Sequence, residues 1–264
     1  MFDVPLQMSE WALITGASSG IGWELAKLFA ADKFNLILVA RNEARLNELA
    51  AVLRAQHAIE VKVVVKDLAL PTAPQELFDA VRALPVSILV NNAGSGWHGA
   101  FAKTELSQSL AIMDLNMEAL VKLTHLFVQP MLARRAGKIL NVASTAAFQP
   151  GPMVNVYYAS KAFVHSFSYA LACELEGSGV TVTTLCPGTT HTEFFARGNF
   201  GPVRAAFTME ARTVAVAGYR GLLRGKRVVI PGLTNKIASA LSRRLPVRWT
   251  AAVVRRLHKS VEPK

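Results

Sequence analysis

The chain has 264 residues, a formal net charge of +11, 52% apolar and 18% charged residues, and two cysteines. That composition excludes a disordered or low-complexity chain, and two cysteines without C-x-x-C spacing exclude a disulfide-dense scaffold or a cysteine metal or redox pair. Residues 1–196 hold 14 basic and 16 acidic side chains, whereas 197–264 hold 15 and 2, so the basicity belongs to the last quarter alone.

At this length one large α/β domain with a substantial core is expected. Cys173 and Cys186 fall in apolar helix-like and strand-like segments and read as buried free thiols of a reducing compartment. No stretch reaches the roughly 18 consecutive apolar residues of a bilayer span. Residues 1–5 lack the basic lead and apolar run of a signal peptide, so the expected location is the cytoplasm.

Candidate strands in chain order are 11–15, 35–40, 60–66, 87–91, 137–143, 180–186 and 227–230, most of them apolar on consecutive residues, as strands covered on both faces are. Between them, 21–31, 43–56, 74–83, 106–134 and 154–176 have helix-forming composition and a 3.6-residue apolar recurrence, with Asn42 and Thr72 as N-caps of the second and third. Strand–helix alternation of this kind predicts crossover connections and a single Rossmann-like, doubly wound parallel sheet of about seven strands with helices on both faces. The expected division is a catalytic domain over 1–233 and a basic helical extension over 234–264.

The first strand runs into Gly16-Ala17-Ser18-Ser19-Gly20-Ile21-Gly22 and then directly into a helix. Glycines there let the backbone turn sharply and approach a ligand, while the helix N-terminus offers free N–H groups to a pyrophosphate. Further on come Asn91-Asn92-Ala93-Gly94 at the end of the fourth strand, Ser144 after the fifth, and Tyr157-Tyr158-Ala159-Ser160-Lys161. Tyr157 and Lys161 are i and i+4 on one helix face, and Tyr158 at i−3 from the lysine shares that face, so helix geometry alone does not choose between the tyrosines. A neighbouring ammonium favours a phenolate, which makes a tyrosine–lysine pair a tuned general acid.

Together, T-G-x-x-x-G-x-G, N-N-A-G, the serine and Y-x-x-x-K resemble the short-chain dehydrogenase/reductase family over about residues 9–195. The resemblance selects Tyr157 as proton donor, with Lys161 as its electrostatic partner and holder of the nicotinamide ribose, Ser144 as the group that binds the substrate carbonyl, and Asn116 as holder of a relay water. It leaves Tyr158 as a packing residue. It implies cofactor contacts at Gly16, Ser18, Ser19, Gly20, Ile21 and Gly22, at Asp67 and Leu68 beside the adenine, and at Asn91, Ala93 and Gly94 beside the adenosine ribose. Pro187, Gly188 and Thr192 fit the element that closes over the nicotinamide. The second strand ends in Ala40 where an acidic residue would favour NAD(H), and Arg41 follows, so the resemblance implies NADP(H).

The loops after the fourth to sixth strands carry Trp97, His98, Phe148, Pro150, Met153, His191, Phe194 and Phe195, an apolar lining that favours a hydrophobic ketone, aldehyde, acyl or sterol-like substrate. His98 and His191 read as hydrogen-bonded loop residues, and no metal-ligand spacing occurs. Homo-oligomers, dimer or tetramer, are expected through the two long helices. In the tail, Trp249, Val253 and Leu257 recur every fourth residue, with Arg248, Arg255, Arg256 and Lys259 on the cationic side. Such a stretch can lie on an anionic membrane surface, cover the pocket or pack on a partner; it carries no recognised nucleic-acid module. The competing readings are a nucleotide-sensing protein without turnover, which has no need of a placed proton donor, and a surface-binding protein acting through its tail.

Overall fold

The computed structural model describes residues 10–200 and 208–259; the N-terminal segment read for a signal peptide and the side chain of Lys259 lie outside the described residues. The chain runs β1 (Trp11–Thr15), α1 (Gly20–Ala31), β2 (Asn35–Ala40), α2 (Glu43–His57), β3 (Val61–Val65), α3 (Ala73–Val81), β4 (Val86–Asn91), α4 (Leu106–Met113), α5 (Ala119–Ala133), β5 (Gly137–Val142), α6 (Asn155–Glu174) and β6 (Val180–Leu185). It continues through β7 (Thr190–His191), α7 (Phe194–Arg197), β8 (Met209–Glu210), α8 (Ala211–Leu223), β9 (Val228–Val229), α9 (Leu233–Ser242) and α10 (Val247–Lys259).

Seven strands form one parallel sheet in the order β3-β2-β1-β4-β5-β6-β9, and β7 and β8 make a separate two-stranded pair. The apolar runs explain why the sheet is covered twice. Successive residues of a strand face opposite sides, so Ala12 and Ile14 of β1 join Phe29, Leu36, Leu38 and Leu46 in one core, while Trp11 and Leu13 join Ile37, Leu77, Leu89 and Phe127 in the other. A strand apolar on one face only could not serve both layers. Because β1 pairs with β2 on one side and β4 on the other, the strand order reverses there, and a crevice opens past the C-terminal ends of β1 and β4.

Asn42 caps α2 as expected, its Oδ1 accepting the Arg45 N–H at 3.1 Å. Thr72 precedes α3 but is itself in helical conformation and makes no capping bond to the backbone. The expected helix 106–134 is interrupted at Asp114–Glu118 by one turn of π-helix, which separates α4 from α5. Cys186 is buried and its thiol is pushed up to about 12 by desolvation, whereas Cys173, on the outer face of α6, is exposed. Among the described residues no helix is long and apolar enough to cross a membrane, and no cluster of three or more His, Cys, Asp or Glu could hold a metal ion.

Candidate active site

The turn from β1 to α1 is held in place from β4. Thr15 Oγ1 donates to Val90 O and accepts the N–H groups of Asn92 and Ala93 at 3.0 and 2.9 Å, while Asn92 Nδ2 donates to the carbonyls of Thr15 and Gly16. Gly16 and Gly20 have φ of +66° and +57°, conformations that side chains resist. A Cβ at Gly22 would collide with the Gly16 carbonyl and the Asn92 amide, and one at Gly20 would lie 2.7 Å from the Thr192 methyl. Thr192 is thereby brought against the N-terminus of α1, whose cap residue Ser19 spends no side-chain hydrogen bond on the helix. Thr15 and Asn92, motif residues with no role expected from the sequence, do the positioning; a buried hydroxyl with three main-chain partners is invisible to spacing.

Asn91 itself is turned away. Its Nδ2 donates to Thr124 Oγ1 and Asn141 Oδ1 between the sheet and helices, so a cofactor contact at this position falls to its main chain. The Leu68 side chain is likewise buried in the core. Arg41 and Asp67, at the tips of β2 and β3, come together with 3.6 Å between Nη1 and Oδ2. The guanidinium stays largely exposed, free to meet a ligand at the end of β2.

The crevice continues past β4 and β5 to Asn116, Ser144, Tyr157 and Lys161. A Cβ on Gly94 would meet Asn116 Oδ1 at 3.2 Å and Lys161 Nζ at 3.3 Å, so the glycine, the amide and the ammonium converge. Asn116 lies in the π-helical turn, which swings its side chain to the Ser95 loop: Oδ1 accepts Ser95 N–H, and Nδ2 donates to Ser95 O and Ser160 Oγ, each at 2.9 Å. Ser160 completes this bridge and was missed because a serine inside a helix normally signals nothing. With its amide fully engaged, Asn116 has only its main chain to hold a relay water.

Lys161 donates to Val142 O at 2.9 Å, and its Nζ lies 5.8 Å from the Tyr157 ring centre. Burial lowers the ammonium to about 8. Tyr157 moves opposite to the sequence-based expectation: desolvation pushes its phenol up to about 12, opposed only in part by the hydrogen bond with Ser144. The reason is geometric, since the Nζ is bonded to a main-chain carbonyl and removal of water from the phenol outweighs its charge. Ser144 Oγ accepts Ala146 N–H at 3.1 Å and donates to Pro187 O at 3.3 Å, tying the end of β5 to the Pro187–Gly188 turn. Asn235 of α9 packs on that turn, its Oδ1 2.5 Å from where a Gly188 Cβ would stand.

Beyond the tyrosine the walls are aromatic. Phe194 and Phe200 lie 5.2 and 6.5 Å from the Tyr157 ring, and Phe195 stacks edge-on against Phe200 at 5.3 Å. Tyr158 is more than packing: its hydroxyl shares a 3.2 Å hydrogen bond with His258 Nε2 of α10, whose ring is 5.5 Å from His98. His98 is a hydrogen-bonded loop residue as expected, its main-chain N–H donating to Gly198 O at 2.8 Å and its carbonyl accepting from Asn199 Nδ2 at 3.1 Å, although its buried Nε2 has no partner; His191 is exposed on β7. Phe148 packs between His165 and the Arg243 guanidinium. Phe200 and His258 went unread because a sequence far along the chain gives no sign of which loop it will cover.

A crevice of this kind marks the nucleotide-binding α/β proteins, in which ligand phosphates meet backbone N–H groups at the switch point. The family described as short chain dehydrogenase matches residues 10–199. Sulfoacetaldehyde reductase 2 of Chromohalobacter salexigens is 41% identical over 191 residues, 71% of this chain and 75% of that protein. Very-long-chain 3-oxoacyl-CoA reductase of Phaeosphaeria nodorum is 40% identical over 65% of this chain, which spans about half (52%) of that reductase. Among solved structures, a short-chain dehydrogenase from Sphingobium yanoikuyae in complex with NADPH superposes with a TM-score of 0.81 at 32% identity, covering 97% of this chain and 96% of the other. A Burkholderia phymatum relative in complex with NAD superposes at 0.80 with 25% identity over 88% of this chain and 92% of the other. The chain belongs to the short-chain dehydrogenase/reductase family. It is an oxidoreductase of that family, which binds a nicotinamide cofactor.

Proposed function

We propose that this chain is an NADP(H)-dependent reductase or alcohol dehydrogenase acting on an apolar carbonyl or secondary alcohol. The observation that carries the reading is that Asn116 and Lys161 meet at Gly94 while the Tyr157 ring lies 5.8 Å from the Lys161 Nζ with its phenol hydrogen-bonded to Ser144, next to a glycine turn closed to any side chain. The bound nicotinamide would supply or accept the hydride at the carbonyl carbon. Tyr157 Oη would give its proton to the carbonyl oxygen, Ser144 Oγ would hydrogen-bond the same oxygen, and Lys161 Nζ would hold the nicotinamide ribose. Asn116 holds the Ser95 loop so that Gly94 stays against the lysine.

The turn at Gly16, Ser18, Ser19, Gly20, Ile21 and Gly22 would cradle the pyrophosphate, with Thr192, Pro187 and Gly188 closing it and Ala93 and Gly94 beside the ribose. Arg41 would grip a 2′-phosphate and Asp67 border the adenine. The aromatic wall of Phe194, Phe195 and Phe200 supports an apolar substrate, a ketone, aldehyde, acyl or sterol-like compound. Exposed Leu106, Leu110 and Met113 form one stripe along α4, which supports pairing of copies through α4, α5 and α6. The reading includes a cytoplasmic location.

Titration of NADPH and NADH by fluorescence, on the wild type and Arg41→Ala, tests it. Tight NADPH binding that Arg41→Ala weakens towards the NADH value is expected, with NADPH consumed when apolar ketones are added. Equal affinities would remove the Arg41 assignment, and binding without turnover of any carbonyl would favour the sensing protein.

A further inference from the structure

α9 is built inside out. Its core-facing positions hold Asn235, Ser239 and Ser242, with the Ser239 hydroxyl buried and unpartnered, while Leu233, Ile237 and Leu241 recur at four-residue spacing on the solvent side. α10 buries Thr250 and Val254 and leaves Trp249, Val253 and Leu257 as a second outward stripe. These six large side chains are each 52 to 72% exposed, and Leu245, between the helices, and Val247, at the start of α10, are exposed too. A helix directs its apolar side to what covers it, and a surface of this kind marks a binding face.

The charge around the stripes identifies the cover. From Leu233 to Lys259 there are seven basic residues and no acidic one. Beside α9, a groove of about 280 Å³ between α8 and β9 is lined by Arg220, Arg224, Lys226 and Lys236. A second copy would bring two such cationic rims together and repel. An anionic surface with an apolar interior meets both requirements, taking leucine and tryptophan side chains below the headgroups and arginines at the phosphates. We propose that α9 and α10 dock this protein on the surface of an anionic lipid bilayer, with the α8–β9 groove receiving lipid headgroups. This goes beyond the proposed reaction and does not depend on it.

The test mixes the full chain with vesicles of phosphatidylcholine alone or with about 30% phosphatidylserine, and reads co-sedimentation and tryptophan emission. The expected result is binding to the anionic vesicles only, with a blue shift from Trp249, weakened by added salt. Joint substitution Ile237→Ser, Leu241→Ser, Trp249→Ser and Val253→Ser should weaken binding at least about tenfold while NADPH affinity stays unchanged. Absence of binding to anionic vesicles, or binding that survives the four substitutions, overturns the proposal. So does lipid-free self-association, seen by sedimentation velocity, that the same substitutions abolish, since a second copy would then be the cover. Failure of NADPH binding with vesicle binding intact would count against the proposed reaction alone.

Discussion

Burial of the Lys161 ammonium lowers it to about 8 from the 10.5 of a free lysine, so between those values the unfolded chain binds the extra proton. Lys161 therefore adds stability as pH climbs from 8 towards 10, a linkage worth about 3 kcal/mol in full, while the raised Cys186 thiol works the other way above its ordinary 9. Urea unfolding between pH 8 and 9 should show the rise in the wild type and a flatter profile in Lys161→Met. Tyr157→Phe should lower turnover by about three orders of magnitude with cofactor affinity retained, read from steady-state rates beside a fluorescence titration. Tyr158→Phe should keep activity within a few fold. The choice between the two tyrosines came from the motif, since both lie on the lysine's face; what no motif carried was the Tyr158–His258 bond, formed across about 100 residues. The direction of the Tyr157 shift was also illegible, because desolvation depends on how many atoms surround a phenol and not on which charges stand near it in sequence.

At the scale of elements, the strands were plain in the sequence because each is apolar on consecutive residues, and the alternating helices dictated a parallel sheet. The π-turn at Asp114–Glu118 was not, since one extra residue per turn leaves the 3.6-residue recurrence of 106–134 almost intact. Its purpose is to aim Asn116, so Asn116→Leu should strand the Ser95 and Ser160 groups and cost about 2–4 kcal/mol in urea unfolding, with activity lost. α10 offers a second element-scale test. Burial keeps the His258 imidazole neutral down to about 4, while the unfolded chain takes up its proton near 6.5. The hold of α10 is thus complete above pH 6.5 and declines as pH falls towards 4. Protection factors of the amides over 247–259, with the intrinsic exchange rate at each pH divided out, should fall in that interval, and His258→Gln should remove the pH step.

For the molecule as a whole, the single dinucleotide-binding architecture was legible from four motifs in order, whereas the placement of the tail was not: its periodicity announced an amphipathic helix without saying which face the domain would cover. The α4 stripe makes a prediction of its own. Under the proposed pairing of copies, Leu110→Arg should give smaller species than the wild type in sedimentation velocity with affinity for the nicotinamide cofactor unchanged. One contact has a bearing on how the chain comes to be folded at all. Phe29 of α1 stacks edge-on with Tyr219 of α8 at 4.8 Å, and the Tyr219 hydroxyl donates to Asp32. The helix whose N-terminus opens the glycine turn is thus sealed by a segment made almost 190 residues later. During synthesis, at about 5–20 residues per second, the first βαβ unit must wait some ten seconds or more with the Phe29 face of α1 uncovered. Chaperone capture of nascent chains should therefore begin soon after α1 emerges and end only once α8 has left the ribosome.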